Sequence, residues 1–260
     1  MPQIDSGDVS LYYELSGPAG TRVLMLSNSL GTTLDMWEPQ MRAFEKHFQV
    51  LRYDMRGHGR SSTGTKPCTI QLLGHDVIAL LDALELRSIQ FCGLSIGGAI
   101  GQWLGIHAPE RLSKLLLCNS AARIGNPQSW SERIQTIQAH GMQPIVEAGL
   151  RRWFTQDFLV SGAPMIEKMR TMLADSDPAG YIACCEALRE MDLRDAVQAI
   201  AVPVCILAGE SDRVTTVEDA REIEQKIRGS QVVVLPAAHI SNVEVPDLFE
   251  AAALAFLETG

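Results

Sequence analysis

Short, continuous apolar runs recur along this chain with helix-patterned sequence between them, and that alternation constrains the fold more than any other feature. Runs such as VLML (23–26), LLLC (115–118) and VCILA (204–208) carry no polar alternation, as expected of strands buried on both faces of a parallel sheet. Strands are expected at 10–15, 22–27, 48–53, 88–92, 112–118, 204–208 and 231–235. Between them, 70–84 sets Ile70, Leu73, Val77, Leu80, Leu81 and Leu84 on one face at the helical period, with Thr69 as N-cap. The fold class is therefore α/β, a mostly parallel central sheet with helices on both faces.

The alternation stops between Ala121 and Ala201, where about four amphipathic helical pieces follow without a strand. Pro127, Pro144, Pro164 and Pro178 punctuate them and Pro203 marks the return to the sheet. This divides 260 residues into one core, 1–122 with 196–260, and a helical insertion over 123–195.

Thirty-one acidic against 22 basic residues leave a net charge of −9, and the longest basic run is the pair Arg151-Arg152. That balance argues against nucleic acid or an anionic membrane surface as partner. No apolar run is long enough to span a bilayer and the N-terminus has no signal-peptide pattern, so a cytoplasmic location is expected. The six cysteines lie mostly in apolar segments without C-x-x-C spacing, so they read as reduced core residues, with no metal site expected.

Chemistry concentrates at Gly93-Leu94-Ser95-Ile96-Gly97, a G-x-S-x-G motif between the strand at 88–92 and a helix expected over 96–107. A strand turning directly into a helix strains the central serine, and glycines on either side let the chains approach. Ser95 is thereby presented at a helix N-terminus, where backbone N–H groups favour a developing oxyanion. A serine nucleophile needs a histidine base oriented by a carboxylate, in the chain order Ser, acid, His. Asp212 follows the strand at 204–208, with Glu210 as rival acid, and His239 follows the strand at 231–235. Ile96 supplies one N–H for the oxyanion, and the loop Ser27-Asn28-Ser29-Leu30-Gly31-Thr32 should supply the other. The basic loop Arg56–Ser61 is read as a brace for the sheet edge, without a chemical role.

The stretches SNSLGTTLDMW (27–37), LRYDMRGHGRSS (51–62), GLSIGGAIGQWLGIHAPERL (93–112), WFTQDF (153–158) and AAHISNVEVPDLF (237–249) resemble the α/β-hydrolases. They are closely similar to the 3-oxoadipate enol-lactonases of bacterial aromatic catabolism, nearly end to end. Most members of the wider superfamily carry His-Gly where this chain has Asn28-Ser29; the SNSLGT version is similar to the lactonases in particular. The resemblance implies an α/β-hydrolase fold with a helical lid, Leu30 as the second oxyanion donor, no cofactor, and a small anionic lactone as substrate. Its carboxylate would need a cation, with Arg133 the first candidate, Arg152 and Arg123 rivals, and Trp153 a wall against the ring. A general carboxylesterase and a hydrolase-like ligand receptor are the alternative readings.

Overall fold

The computed structural model describes residues 2–259. Eight strands form one sheet in the order β1-β2-β4-β3-β5-β6-β7-β8. They are β1 (Gln3–Ser6), β2 (Val9–Ser16), β3 (Val23–Ser27), β4 (Gln49–Tyr53), β5 (Ile89–Leu94), β6 (Leu112–Cys118), β7 (Val204–Gly209) and β8 (Gln231–Leu235). The pairings β1–β2 and β2–β4 are antiparallel, and the rest are parallel. Every residue of β5 and β7 is buried, as the unbroken apolar runs require, whereas β8 at the sheet edge is half exposed.

Seven expected strands are present, and β1 is the one the sequence does not announce. Its four residues, QIDS, are mostly exposed and pair only with β2 through a tight turn at Gly7, where φ is +61°. A short outer strand buries too little apolar surface to leave a pattern.

Helices α1 (Glu38–Phe44), α2 (Ile70–Ala83), α3 (Ile96–His107), α9 (Val217–Lys226), α10 (Ser241–Glu244) and α11 (Pro246–Leu257) belong to the sheet-bearing core. Thr69 caps α2 by accepting from the Leu72 N–H at 3.0 Å. Between β6 and β7 lie α4 (Pro127–His140), α5 (Gln143–Trp153), α6 (Gln156–Ser161), α7 (Ala163–Ala174) and α8 (Pro178–Glu190). There are five helices where about four were expected. Pro127, Pro144, Pro164 and Pro178 each open one, because the first turn has no use for the missing N–H. The break between α5 and α6 carries neither Gly nor Pro; Thr155 makes it by capping the Phe158 N–H. The insertion closes at its base, where the Leu193 N–H donates to the Ala122 carbonyl at 2.8 Å. Among the described residues no helix is long and apolar enough to cross a membrane.

Candidate active site

The parallel order β3-β5-β6-β7-β8 brings the loops after those strands to one edge of the sheet. Ser95 follows β5, Asn119 follows β6, Asp212 follows β7 and His239 follows β8. Ser95 sits between β5 and α3 with φ +58° and ψ −116°, a conformation that costs a non-glycine residue about 1–3 kcal/mol. The neighbouring glycines make that turn possible. A Cβ on Gly93 would strike the backbone of Gly97 and Gly98, and one on Gly97 would strike the carbonyl oxygens of Ser27 and Asn28. Close approach to the loop after β3 is thus built into the motif.

His239 Nδ1 lies 2.8 Å from Asp212 Oδ2, with both side chains buried. Oδ2 also accepts from Asn119 Nδ2 at 3.0 Å and Thr215 Oγ1 at 2.8 Å, while Oδ1 accepts the Val214 and Thr215 N–H groups at 2.8 and 3.1 Å. Burial opposes the charge on Asp212, but His239 and these donors outweigh it and hold the carboxyl below its usual range. An ionised carboxylate only accepts, so Nδ1 carries the proton and Nε2 is left free as a base. Glu210, the rival acid, is exposed, and among the described residues the carboxylate paired with His239 is that of Asp212. Asn119 is fixed in turn by Ser241 Oγ at 2.6 Å and the Ala238 carbonyl at 3.0 Å.

Ser95, His239 and Leu30 all line one narrow cleft. Among the described residues neither the Leu30 nor the Ile96 N–H has a hydrogen-bond partner, so both remain available to an oxyanion. The loop bearing Leu30 is held by buried side chains. Asn28 donates to the Tyr53 carbonyl at 2.8 Å and accepts from Trp37 Nε1 at 2.9 Å.

His58, from the loop read as a brace, accepts from the Gly31 N–H through Nε2 at 3.1 Å, and its Nδ1 meets the Arg56 carbonyl at 3.2 Å. Both contacts are satisfied only by the neutral ring. The bracing itself is visible in Arg56, which donates to Asp76 at 2.6 and 2.7 Å and to Asp8 at 3.2 Å. Burial lowers the His58 pKa below its ordinary 6.5, against the opposing hydrogen bond to Arg56. A lowered pKa means that the unfolded chain takes up the proton first, so His58 stabilises the fold fully above about pH 6.5 and progressively less as pH falls toward its native value. Thermal unfolding between about pH 7.5 and about pH 5.5 should show that loss. His58→Gln should flatten most of the slope; an unchanged slope would remove His58 from this role.

The helical insertion contributes Trp130, Arg133, Arg152, Trp153 and Tyr181 to the same cleft. Arg133 lies with its guanidinium 4.6 Å from the Trp130 ring centre, and Trp130 is itself anchored by Nε1 to the Ile124 carbonyl at 2.7 Å. Trp153 is buried beside the cleft, and its carbonyl accepts the Ile240 N–H at 3.0 Å, next to His239. Arg123 lies elsewhere: it pairs with Asp192 at 3.4 Å over a separate depression lined by Arg194 and Lys226. Arg152, by contrast, joins Arg133 in the cleft. Neither has a carboxylate partner among the described residues. Burial first, and then the neighbouring Arg133, lower the Arg152 pKa, an unfavourable arrangement that a bound anion would relieve. Tyr181 is pushed up to about 12 by burial and stays a neutral donor. Asn119 and His58 have no local sequence signal as site residues, since each acts through a long-range contact, and nothing in the sequence around Thr215, Trp130 and Tyr181 singles them out.

The alpha/beta hydrolase fold family matches residues 22–143. The chain is 45% identical over 251 residues to 3-oxoadipate enol-lactonase 2 of Acinetobacter baylyi, covering 96% of this chain and 94% of that one. It is 37% identical to 3-oxoadipate enol-lactonase 1 of the same organism, over 92% and 90% of the two chains. Among solved structures, the enol-lactonase from Burkholderia xenovorans LB400 superposes with a TM-score of 0.98 at 39% identity, covering 99% of this chain and 100% of that one. The chain belongs to the 3-oxoadipate enol-lactonase family of α/β-hydrolases.

Proposed function

We propose that this protein hydrolyses 3-oxoadipate enol-lactone to 3-oxoadipate in bacterial aromatic catabolism, using Ser95, His239 and Asp212 as its catalytic triad. The observation that carries the substrate is the placement in the cleft shared by Ser95 and His239 of two arginines, Arg133 and Arg152, that have no carboxylate partner among the described residues. A cleft for neutral esters gains nothing from such charges, whereas the lactone's acetate group pairs with them. Residues 123–195 act as the lid that carries these arginines and the Trp153 wall.

His239 Nε2 takes the Ser95 proton as Oγ attacks the ring carbonyl, and the Leu30 and Ile96 N–H groups hold the resulting oxyanion. Collapse breaks the ring C–O bond and expels an enolate, which takes up the proton and tautomerises to the ketone. Because the substrate is a ring, this leaving group stays tethered to the acyl chain. Tautomerisation removes the oxygen nucleophile that could close the ring again. Water deprotonated by His239 then attacks the acyl carbonyl, and Ser95 leaves with the proton restored. Protein groups and water account for every step. The six free, buried cysteines support placing the reaction in the reducing cytoplasm.

Ultraviolet loss of the enol-lactone, generated in situ from muconolactone, tests the reading. The wild type should consume it with saturation, and Arg133→Ala should raise KM for the lactone about tenfold or more, from loss of a charged hydrogen bond, with a much smaller effect on neutral 4-nitrophenyl butyrate. Rapid cleavage of the neutral ester with no lactone turnover above background sinks the proposal; equal effects of Arg133→Ala on both substrates remove that residue from the site.

A further inference from the structure

Arg152 lines two spaces at once. One is the cleft holding Ser95 and His239; the other is a depression lined by both insertion and core, with Arg151, Phe154, Thr155, Arg213 and Ala238 among its residues. The depression adjoins the triad by sequence as well as in space, since Arg213 follows Asp212 and Ala238 precedes His239. Arg151 and Arg213 are exposed and Arg152 is half-buried. Among the described residues none of the three is in an ion pair, in a protein whose net charge is −9.

Two acidic groups beside this space are bound elsewhere, while Asp157 and Glu210, each next in sequence to a lining residue, are exposed. Glu147, whose carbonyl accepts Arg151 Nε at 3.4 Å, directs its carboxylate to Arg170. Glu244 lies beneath the floor with one oxygen on the Thr155 N–H and hydroxyl and the other on the Ala238 N–H at 2.9 Å. These bonds, with that between the Ile240 N–H and the Trp153 carbonyl, tie the end of α5 to the His239 loop. Arg151 and Arg152 are therefore mounted where the insertion is tied to the core, and Arg213 lines the same depression from the core.

We propose that this depression is an anion-collecting vestibule, in which Arg151 and Arg213 draw in the substrate carboxylate and Arg152 passes it to the cleft. The proposal rests on the reading of the chain as a hydrolase of an anionic lactone. A net-acidic enzyme repels an anionic substrate at long range, and a local positive field over the approach to the cleft reverses that sign where it matters. It also gives the product, which carries one carboxylate more than the lactone, a screened way out.

The test compares mono-4-nitrophenyl glutarate, anionic at neutral pH, with neutral 4-nitrophenyl butyrate, through the ratio of their kcat/KM values. In the wild type that ratio should fall about fivefold as salt rises from about 0.01 M to about 0.3 M. In Arg151→Gln/Arg213→Gln it should start about fivefold lower and stay flat. Arg42→Gln/Arg228→Gln, which removes the same charge from exposed positions outside the depression, should keep the wild-type ratio and slope. The vestibule is overturned if the Arg151/Arg213 variant keeps the wild-type slope, or if the Arg42/Arg228 variant loses as much. Enol-lactone turnover is read separately. An inert lactone with the predicted hemiester pattern sinks the substrate assignment alone, and lactone turnover with an unaltered slope in the Arg151/Arg213 variant sinks the vestibule alone.

Discussion

Replacing Ser95 with alanine should lower kcat for lactone and aryl esters about 10⁵-fold, leaving only what the oxyanion donors and binding contribute. On the proposed mechanism Oγ is the nucleophile, presented by the strained turn at the start of α3. The fold should survive. Alanine bears the same Cβ in the same φ of +58°, and the backbone bonds at this position, Ser95 N–H to Cys118 and Ser120 Oγ to the Ser95 carbonyl, do not involve the lost hydroxyl. The backbone strain gives a second readout. Ser95→Gly should be equally inactive yet melt above Ser95→Ala, because glycine adopts this conformation without the cost of about 1–3 kcal/mol, partly offset by its greater freedom when unfolded. Ser95→Ala activity within a hundredfold of wild type would exclude Ser95 as the nucleophile. A Ser95→Gly variant melting below Ser95→Ala would mean that the turn stores no strain.

The meeting of Ser95, Asp212 and His239 at one sheet edge is legible because each follows an apolar strand, and parallel strands bring their C-terminal ends together whatever the loop lengths. The proposed triad is therefore readable from order alone. The support around it is not. Asn119 reaches Asp212 across 93 positions of sequence, and His58 fixes Gly31 across 27; neither contact leaves a periodic or local mark. The same holds for the insertion. Its prolines mark the breaks between helical pieces, but the Thr155 break rests on a side-chain cap that also bonds Glu244, and ordinary threonines look no different in sequence. Choosing among Arg123, Arg133 and Arg152 required knowing which had carboxylate partners. Arg123 is paired with Asp192 over another surface, and Arg152 enters the cleft because α5 ends against the His239 loop. Charge pattern along the chain reports composition, not partnership.

Replacing Asp212 with asparagine should cost about 10⁴ in kcat, although the side chains are nearly the same shape. The hydrogen bonds around Asp212 decide which way the amide turns. Oδ1 accepts two backbone N–H groups, from Val214 and Thr215, and neither can reverse its role. The amide oxygen must take that place, which puts the NH₂ where Oδ2 meets His239 Nδ1, Thr215 Oγ1 and Asn119 Nδ2. The Thr215 hydroxyl can rotate to accept. His239 can accept only by moving its proton to Nε2, where it faces Ser95 and cannot serve as a base. Asn119 Nδ2 cannot accept at all, since its amide is fixed by the Ala238 carbonyl and Ser241 Oγ, so two donors are forced together at a cost of about 1–3 kcal/mol. The variant should therefore melt below wild type as well as turn over slowly. Adding Asn119→Asp supplies an acceptor opposite the new NH₂ but sets a carboxylate oxygen against the Ala238 carbonyl, so it should recover neither stability nor kcat, the histidine tautomer being still wrong. If Asp212→Asn instead kept kcat within tenfold of wild type, the carboxylate would not be what sets the His239 proton.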